Sequence, residues 1–422
     1  MKSRTRILLP VSGRDARVLI KALVLGLFAL NRNVKGQDVL APSPQAPDLT
    51  PLAIQQANPM DVFASPKTPA AVQPFKWEAL TLCPHPFYQF LYADGLQAGT
   101  NQVVNTTIQQ ISPGALLEIG SHWTLDYTPL WTVYSNNKLQ NTFGESVGLA
   151  GGAVYNDWVF GISQSYADSS SPSAETATQT RQEIYATAAD AAYTMNSKMS
   201  LDLGLKQNFV SADNFSSYSE WSTLDWLNYE FWPQLNAAIG AGGGYDDEDA
   251  SPDMTFEQLQ GRVNWRATEK VSFQIHGGVE DRQILSGGNG DLINPVFDAM
   301  IQYRPFEQTK ISLTGQRAVS ASYLQNQFTE TTGVSAGLNQ RLLGKLFLNL
   351  SGGYQTIKYV SSVSTPGATR EDDFYSLSAR LSHAFLKRGT FAVVYQLSKD
   401  DSSLPGYSFT SHQVGFQIGY RY

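Results

Sequence analysis

The stretch Ser411-His-Gln-Val-Gly-Phe-Gln-Ile-Gly-Tyr-Arg-Tyr422 decides the fold. Successive side chains of a β-strand point to opposite faces. Val414, Phe416, Ile418, Tyr420 and Tyr422 therefore share one face, and Gln413, Gly415, Gln417, Gly419 and Arg421 share the other. The first face is apolar and the second is small or polar. A strand that is greasy outside and wet inside is the repeating unit of a transmembrane β-barrel. A half-buried strand of a soluble sheet alternates in the same way, so the reading depends on whether the pattern recurs.

It recurs from about residue 87 to the end. In Lys345–Tyr354, Leu346, Leu348, Leu350 and Tyr354 fall on one face, while Phe347, Asn349 and Ser351 fall on the other. In Val271–Glu280, Val271, Phe273, Ile275 and Val279 oppose Ser272, Gln274, His276 and Glu280. Met199–Lys206 and Lys310–Thr314 alternate too, and Trp123–Trp131 puts Trp123, Leu125, Tyr127 and Trp131 outside. A helical period fits none of these windows. Short connections, such as Gly120–His122 and Tyr155–Asp157, take turns with longer polar ones. The longer ones are expected near Asn136–Glu145, Asp168–Arg181, Ser211–Ser219, Asp246–Asp253, Asp281–Asn294, Val319–Thr331, Ile357–Asp373 and Ser398–Phe409. Short turns on one side and long loops on the other are the asymmetry of outer-membrane barrels. The boundaries predict a single all-β, antiparallel, up-and-down transmembrane barrel of about 18 strands. Its first strand falls near Phe87–Leu96 and pairs with the last, because a closed barrel leaves no open edge in lipid.

Composition agrees. Charged residues make up 16 % of the chain and aromatics 12 %, with 34 Gly. Soluble domains carry roughly 25 % charge. Trp123, Trp158, Trp221, Trp226, Trp232, Trp265, Tyr303 and Tyr422 lie near the predicted strand ends, where Trp and Tyr form interfacial girdles. The single cysteine, Cys83, allows no disulfide framework and lies in no lipid-anchor context.

The N-terminus has the three parts of a secretory signal over residues 1–36. Lys2, Arg4, Arg6, Arg14 and Arg17 are basic, Val18–Leu30 is apolar apart from Lys21, and cleavage is expected after Gly36. Residues 37–84 are rich in Pro, Ala and Gln and are expected to be a flexible periplasmic segment, with the barrel over 85–422. The whole chain carries a formal charge of -7. Without the signal the charge is about -14, which excludes the basic stripe of a nucleic-acid binder.

The signal, the Pro-rich spacer, the paired strands and the terminal GFQIGYRY resemble the outer-membrane β-barrel porin families. They are most similar to the group encoded with exopolysaccharide biosynthesis genes. ISPGALLEIGSHWTLDYTPLW, MSLDLGLKQNF, FEQLQGRVNWRATEKVSFQIHGGVEDR and RLLGKLFLNLSGGYQ carry the resemblance, over roughly residues 85–422. It implies a bacterial outer-membrane location, outer-membrane lipid and the barrel-assembly machinery as partners, and a channel for small hydrophilic solutes, oligo- or polysaccharide among them. Phe416, Tyr420 and the terminal aromatic Tyr422 resemble the sorting signal of such barrels. The resemblance brings no catalytic residues and no cofactor.

Several polar side chains are expected to line the pore: Asp126, Asp202, Lys206, Arg262, His276, Glu280, Asp298, Arg341, Arg380 and Arg421, with Asp190, Lys310 and Asn339 beside them. About 18 strands enclose a lumen too wide for side chains to fill, and wall charge there can set ion selectivity. Asp246-Asp-Glu-Asp-Ala-Ser-Pro-Asp253 reads as a solvated external loop. It lacks the Gly and Glu of an EF-hand, so no metal site is assigned. Two alternatives to a channel remain open at this point. One is a structural or adhesive surface barrel with a plugged lumen. The other is an outer-membrane hydrolase, for which Ser411–His412 is the only adjacent Ser–His pair at the outer end, with no Gly-x-Ser-x-Gly elbow.

Overall fold

The computed structural model describes residues 75–77, 79–249, 251–285, 292–362, 370–386 and 388–421. The signal over 1–36, the spacer up to residue 74 and the placement of Tyr422 lie outside the described residues. Nineteen strands follow in order: β1 (Phe75–Trp77), β2 (Leu80–Gly99), β3 (Gln102–Ile119), β4 (Trp123–Tyr134), β5 (Thr142–Tyr155), β6 (Trp158–Pro172), β7 (Gln179–Thr194), β8 (Met199–Ala212), β9 (Tyr218–Trp232) and β10 (Leu235–Glu248). Then come β11 (Met254–Trp265), β12 (Val271–Ile284), β13 (Leu292–Phe306), β14 (Thr309–Ala321), β15 (Gln327–Leu342), β16 (Leu346–Ser361), β17 (Arg370–Phe385), β18 (Gly389–Ser402) and β19 (Phe409–Tyr420). None of the described residues is helical.

From β2 to β19 each strand pairs antiparallel with the next, and β19 pairs back onto β2 through Phe416↔Phe90 and Gly419↔Phe87. These strands form a closed 18-stranded barrel, and the three-residue β1 adds a short hairpin to the foot of β2. The first barrel strand starts at Leu80, earlier than the sequence pattern placed it. Pro84 and Pro86 obscure its beginning. They are tolerated because this part of β2 lies beyond the last β19 pair, on an edge.

The long connections are shorter than expected, and this corrects the loop boundaries. Asp168–Pro172, Ser211–Ala212, Val319–Ala321 and Ser398–Ser402 all continue their strands. Those extensions rise above the membrane, where no lipid selects an apolar face, and Ala212, Ala321, Ser398 and Asp400 are buried there under the loops of the mouth. The period-two signal vanishes there while the backbone ladder goes on. The short turns share one end of the barrel with the start of β2 and the end of β19, which makes that end periplasmic.

Register assigns every face. Leu346, Leu348 and Leu350 of β16 pair with Leu342, Gln340 and Leu338 of β15 on the lipid side, and Phe347, Asn349 and Ser351 point inward. Two aromatic belts frame the apolar band. Trp158 and Tyr193 (4.8 Å between centroids) and Trp265 and Phe273 (5.3 Å) lie toward the periplasmic turns. Tyr166 and Tyr185 (4.7 Å) and Tyr354 and Tyr375 (5.0 Å) lie toward the outer end. Trp226 is not in either belt. Its parity on β9 is opposite to that of the lipid-facing Trp221, Leu227 and Tyr229, so it is buried in the lumen.

Leu350 sits among Leu338 and Ala379, midway between the belts. Leu350→Arg is expected to cost about 2–4 kcal/mol, the scale for Arg at mid-bilayer, and Asn349→Arg far less. Urea unfolding in lipid vesicles measures both; equal costs would contradict the register.

Candidate functional site in the lumen

The inward positions of β2 to β19 are mostly Ser, Thr, Gln, Gly and charged residues. Asp126 on β4 takes His85 Nε2 at 3.1 Å and the Thr128 hydroxyl at 2.7 Å. Arg262 on β11 donates to Asp202 (2.8 Å) and Asn228 (2.6 Å), and its guanidinium lies 4.5 Å over the Trp226 ring. The same ring lies against Gly240, where a Cβ would come within 2.6 Å of it. His276 stands between Arg262 and Asp298 in the pairing register. The barrel therefore gathers Asp202, Arg262, His276 and Asp298 on one stretch of wall, with Lys206 above Asp202 on β8.

Arg341, Arg380 and Arg421 lie elsewhere, toward the periplasmic end. Arg341 donates to the Gly344 carbonyl (2.8 Å) and Arg380 to Gln417 Oε1 (3.2 Å). Arg421 is exposed beyond the end of β19. Glu280 belongs to a separate cluster near the outer mouth. There Arg282, 2 % exposed, binds Glu280 (2.6 Å) and Asp246 (2.9 Å) and lies 4.8 Å from the Phe256 ring.

That cluster corrects the reading of residues 246–253 as a solvated loop. Asp246, Asp247 and Glu248 extend β10, and alternation splits them. Asp246 and Glu248 turn inward and are buried, while Tyr245 outside donates to Asp253 (2.8 Å). Asp246 tolerates burial because Arg282 neutralises it.

The outer mouth is crossed by its own loops. The β6–β7 connection, residues 173–178, reaches the β14–β15 connection eight strands round the ring. Glu175 at its tip is 1 % exposed and accepts from Ser322 Oγ (2.6 Å) and the Tyr323 N–H (2.8 Å). Arg370, at the start of β17, donates to the carbonyls of Glu175 (2.7 Å) and Ala174 (3.0 Å) and to Asp372 (2.9 Å). Its guanidinium lies between the rings of Tyr359 (4.4 Å) and Tyr407 (4.0 Å). Tyr323 and Ala321 pack on Val210, Ala212 and Tyr218 of the facing wall, and Leu139 packs on Leu96, Val104 and Ile108.

Below this cap lies a cavity of about 610 Å³ against β5 to β11, lined by Asp190, Asp202, Lys206, Trp226, Gln258 and Arg262 among others. Among the described residues no group of three His, Cys, Asp or Glu is placed to hold a metal ion. Sequence reasoning missed Glu175, Arg282, Arg370 and Trp226 as lumen residues. Parity was available for Arg282 and Trp226, since each shares a face with one polar neighbour two residues away, Glu280 and Asn228. Nothing local marks Glu175 and Arg370, whose partners are 147 and 195 residues distant.

Residues 253–422 match the family described as Putative beta-barrel porin 2. No curated protein matches the chain. Among solved structures, the copper transporter OprC is 8 % identical, with a TM-score of 0.43, over 78 % of this chain and 63 % of its own length. OccK3 (OpdO) of Pseudomonas aeruginosa is 12 % identical, with a TM-score of 0.45, over 81 % of this chain and 95 % of its own. OccAB3 of Acinetobacter baumannii is 9 % identical, with a TM-score of 0.45, over 81 % and 99 %. The closed register and the belted apolar band make the chain a bacterial outer-membrane β-barrel of porin-like architecture.

Burial raises the Glu175 carboxyl above its ordinary range, against the lowering effect of its Ser322 and Tyr323 hydrogen bonds and of Arg370. Because the docked form prefers the proton, docking of the crossing loop is fully stabilised below the ordinary carboxylate range. It weakens as pH rises through the raised value. A spin label at Ser173 should become more mobile over that rise, and Glu175→Gln should flatten the dependence. Unchanged dependence in Glu175→Gln would contradict the assignment.

Proposed function

We propose that the protein is an outer-membrane channel through which small hydrophilic solutes diffuse or are exported, oligo- or polysaccharide among them, with no chemistry done on the cargo. One observation carries this reading. Beneath the cap, the barrel holds an unfilled cavity of about 610 Å³, lined by Asp190, Asp202, Lys206, Ser222, Gln258 and Arg262 among glycines and apolar residues. An 18-stranded wall is wide enough to hold an aqueous path, and charged groups on it hold water there. Oxygen-rich solutes exchange water for the Ser, Gln, Asn and charged groups there at little cost. The saccharide preference rests on the family resemblance.

The hydrolase alternative loses its motif. Ser411 faces inward and is fully buried, while His412 faces outward with its Nδ1 3.0 Å from the Tyr395 hydroxyl. Adjacent residues of a strand cannot form a nucleophile–base pair across the wall. The plugged-barrel alternative has the crossing loop in its favour. Residues 173–178 occupy the mouth and are fixed by Glu175 and Arg370. In the channel reading the same loop is the constriction that grades solutes by size.

Reconstitution in planar bilayers separates the readings. Open current steps are expected from the intact protein, with small sugars entering proteoliposomes in swelling assays. Arg370→Ala removes the guanidinium that ties the loop to β17 and should give larger or more frequent steps. Silence from both proteins would favour the plugged barrel, and substrate turnover would favour a hydrolase.

A further inference from the structure

One stretch of the lumen wall is hollowed beyond what a hydrated surface needs. Across β5, β6, β7 and β8, Gly152 pairs with Gly161, Gly161 with Asp190, and Asp190 with Gly204. All four positions face inward, so one carboxylate stands in a row of residues without side chains. A Cβ at Gly204 would lie 3.6 Å from Asp190 Oδ1, and larger side chains would cover the carboxylate. The β8–β9 ladder also skips Leu203 and Gly204. The Gly204 N–H goes instead to Asp225 Oδ1 at 3.1 Å.

Lys206 stands two residues further along β8, paired with Ala188. It is a diagonal neighbour of Asp190, and such neighbours are about 7–8 Å apart at their α-carbons. Both side chains line the 610 Å³ cavity and both are exposed to it. Neither has a hydrogen-bond or ion-pair partner among the described residues; they act on one another only through their charges. The remaining charges of the cavity are committed. Arg262 holds Asp202 and Asn228 and covers Trp226. Ser222 and Gln258 add neutral polar groups to the wall.

We propose that this hollow is a binding subsite for small zwitterionic solutes, of the size of an amino acid or dipeptide. The solute's ammonium meets Asp190 and its carboxylate meets Lys206. An anion alone would face Asp190 and a cation alone would face Lys206, so single charges gain from one group and lose to the other. A zwitterion gains from both. The cavity falls within the range of roughly 300–1,000 Å³ usual for small-molecule sites. Weak binding suits a channel, where a solute must leave as readily as it enters. The proposal rests on the channel reading for its purpose, but the site itself can be tested without an open pore.

The probe is glycylglycine, with acetate, ethylammonium and sucrose as comparisons. Glycylglycine should interrupt the single-channel current at concentrations about tenfold below those needed with acetate or ethylammonium. Asp190→Asn and Lys206→Gln should each weaken the effect about tenfold. The exchanged variant carrying Asp190→Lys and Lys206→Asp should recover most of it, because the solute can bind reversed. Equal action of glycylglycine on the unaltered protein and both neutralised variants would overturn the subsite and leave the channel standing. So would sucrose acting as strongly as glycylglycine. If no current steps appear, ligand-observed NMR of glycylglycine with detergent-solubilised protein reads the site directly. Line broadening that both neutralised variants abolish supports it, and broadening that neither variant alters overturns it.

Discussion

Lipid offers the backbone no hydrogen bonds, and the rest of this structure depends on that. Each unpaired N–H or C=O in the hydrocarbon would cost several kcal/mol, about the stability of a small domain. The chain escapes the penalty only by pairing residues 87–94 with 412–419, near its two ends. That closing seam is aromatic on its outer face. Phe416 lies 5.7 Å from Phe90, 6.1 Å from Tyr88 and 6.2 Å from Phe391. Rings at these separations add about 0.5–1.5 kcal/mol per pair beyond burial. The closing strand thus gains aromatic packing at the seam whose sequence separation makes it slow to form.

Closure fixes parity, and parity divides the side chains into two solvents. Outside, the apolar residues need no partners. Inside, each charge must meet water or an opposite charge. Near the mouth the loops exclude water, and the charges there are paired: Arg282 with Asp246 and Glu280, Arg370 with Asp372. Removing one member of such a buried pair strands the other, at about 3–5 kcal/mol. The cap is therefore tied down by groups that cannot part singly. Lower in the barrel, Asp190 and Lys206 stay wet and unpaired at small cost.

How much of this the sequence disclosed follows from how far each signal travels. Strand type, strand number, the lipid face of β16 and the closing pair are written in a period of two within about ten residues, the length of one crossing. The pattern overstates loop lengths because Asp168–Pro172 and Ser398–Ser402 leave the membrane as strands, with no lipid to require an apolar face, so the pattern fades while the ladder continues. Residue type alone puts Trp226 in a belt, although its parity opposes that. The acidic run at 246–248 looked like a loop because acids dominate it. Its fold follows from Arg282, which is 36 residues away. Glu175 and Arg370 depend on which strands face each other across a ring, and only the closed barrel supplies that information.

Below the paired clusters of the cap, the inward charges are also unevenly distributed round the ring. Asp126, Asp190, Asp202 and Asp298 stand on β4 to β13, whereas Lys310, Arg341 and Arg380 stand on β14 to β17. Lys206 and Arg262 interrupt the acidic arc, and Arg262 is neutralised locally by Asp202. Opposite signs on facing walls set up a field across the lumen, which low-dielectric walls concentrate. Such a field leaves a neutral apolar solute unaligned and repels a single charge from one wall or the other. It orients a solute that carries both signs. Asp190 and Lys206 reproduce within one hollow the separation of charge that the two arcs impose on the whole lumen. In the proposed subsite, a dipolar solute would therefore meet the hollow already turned by the charges of the two arcs.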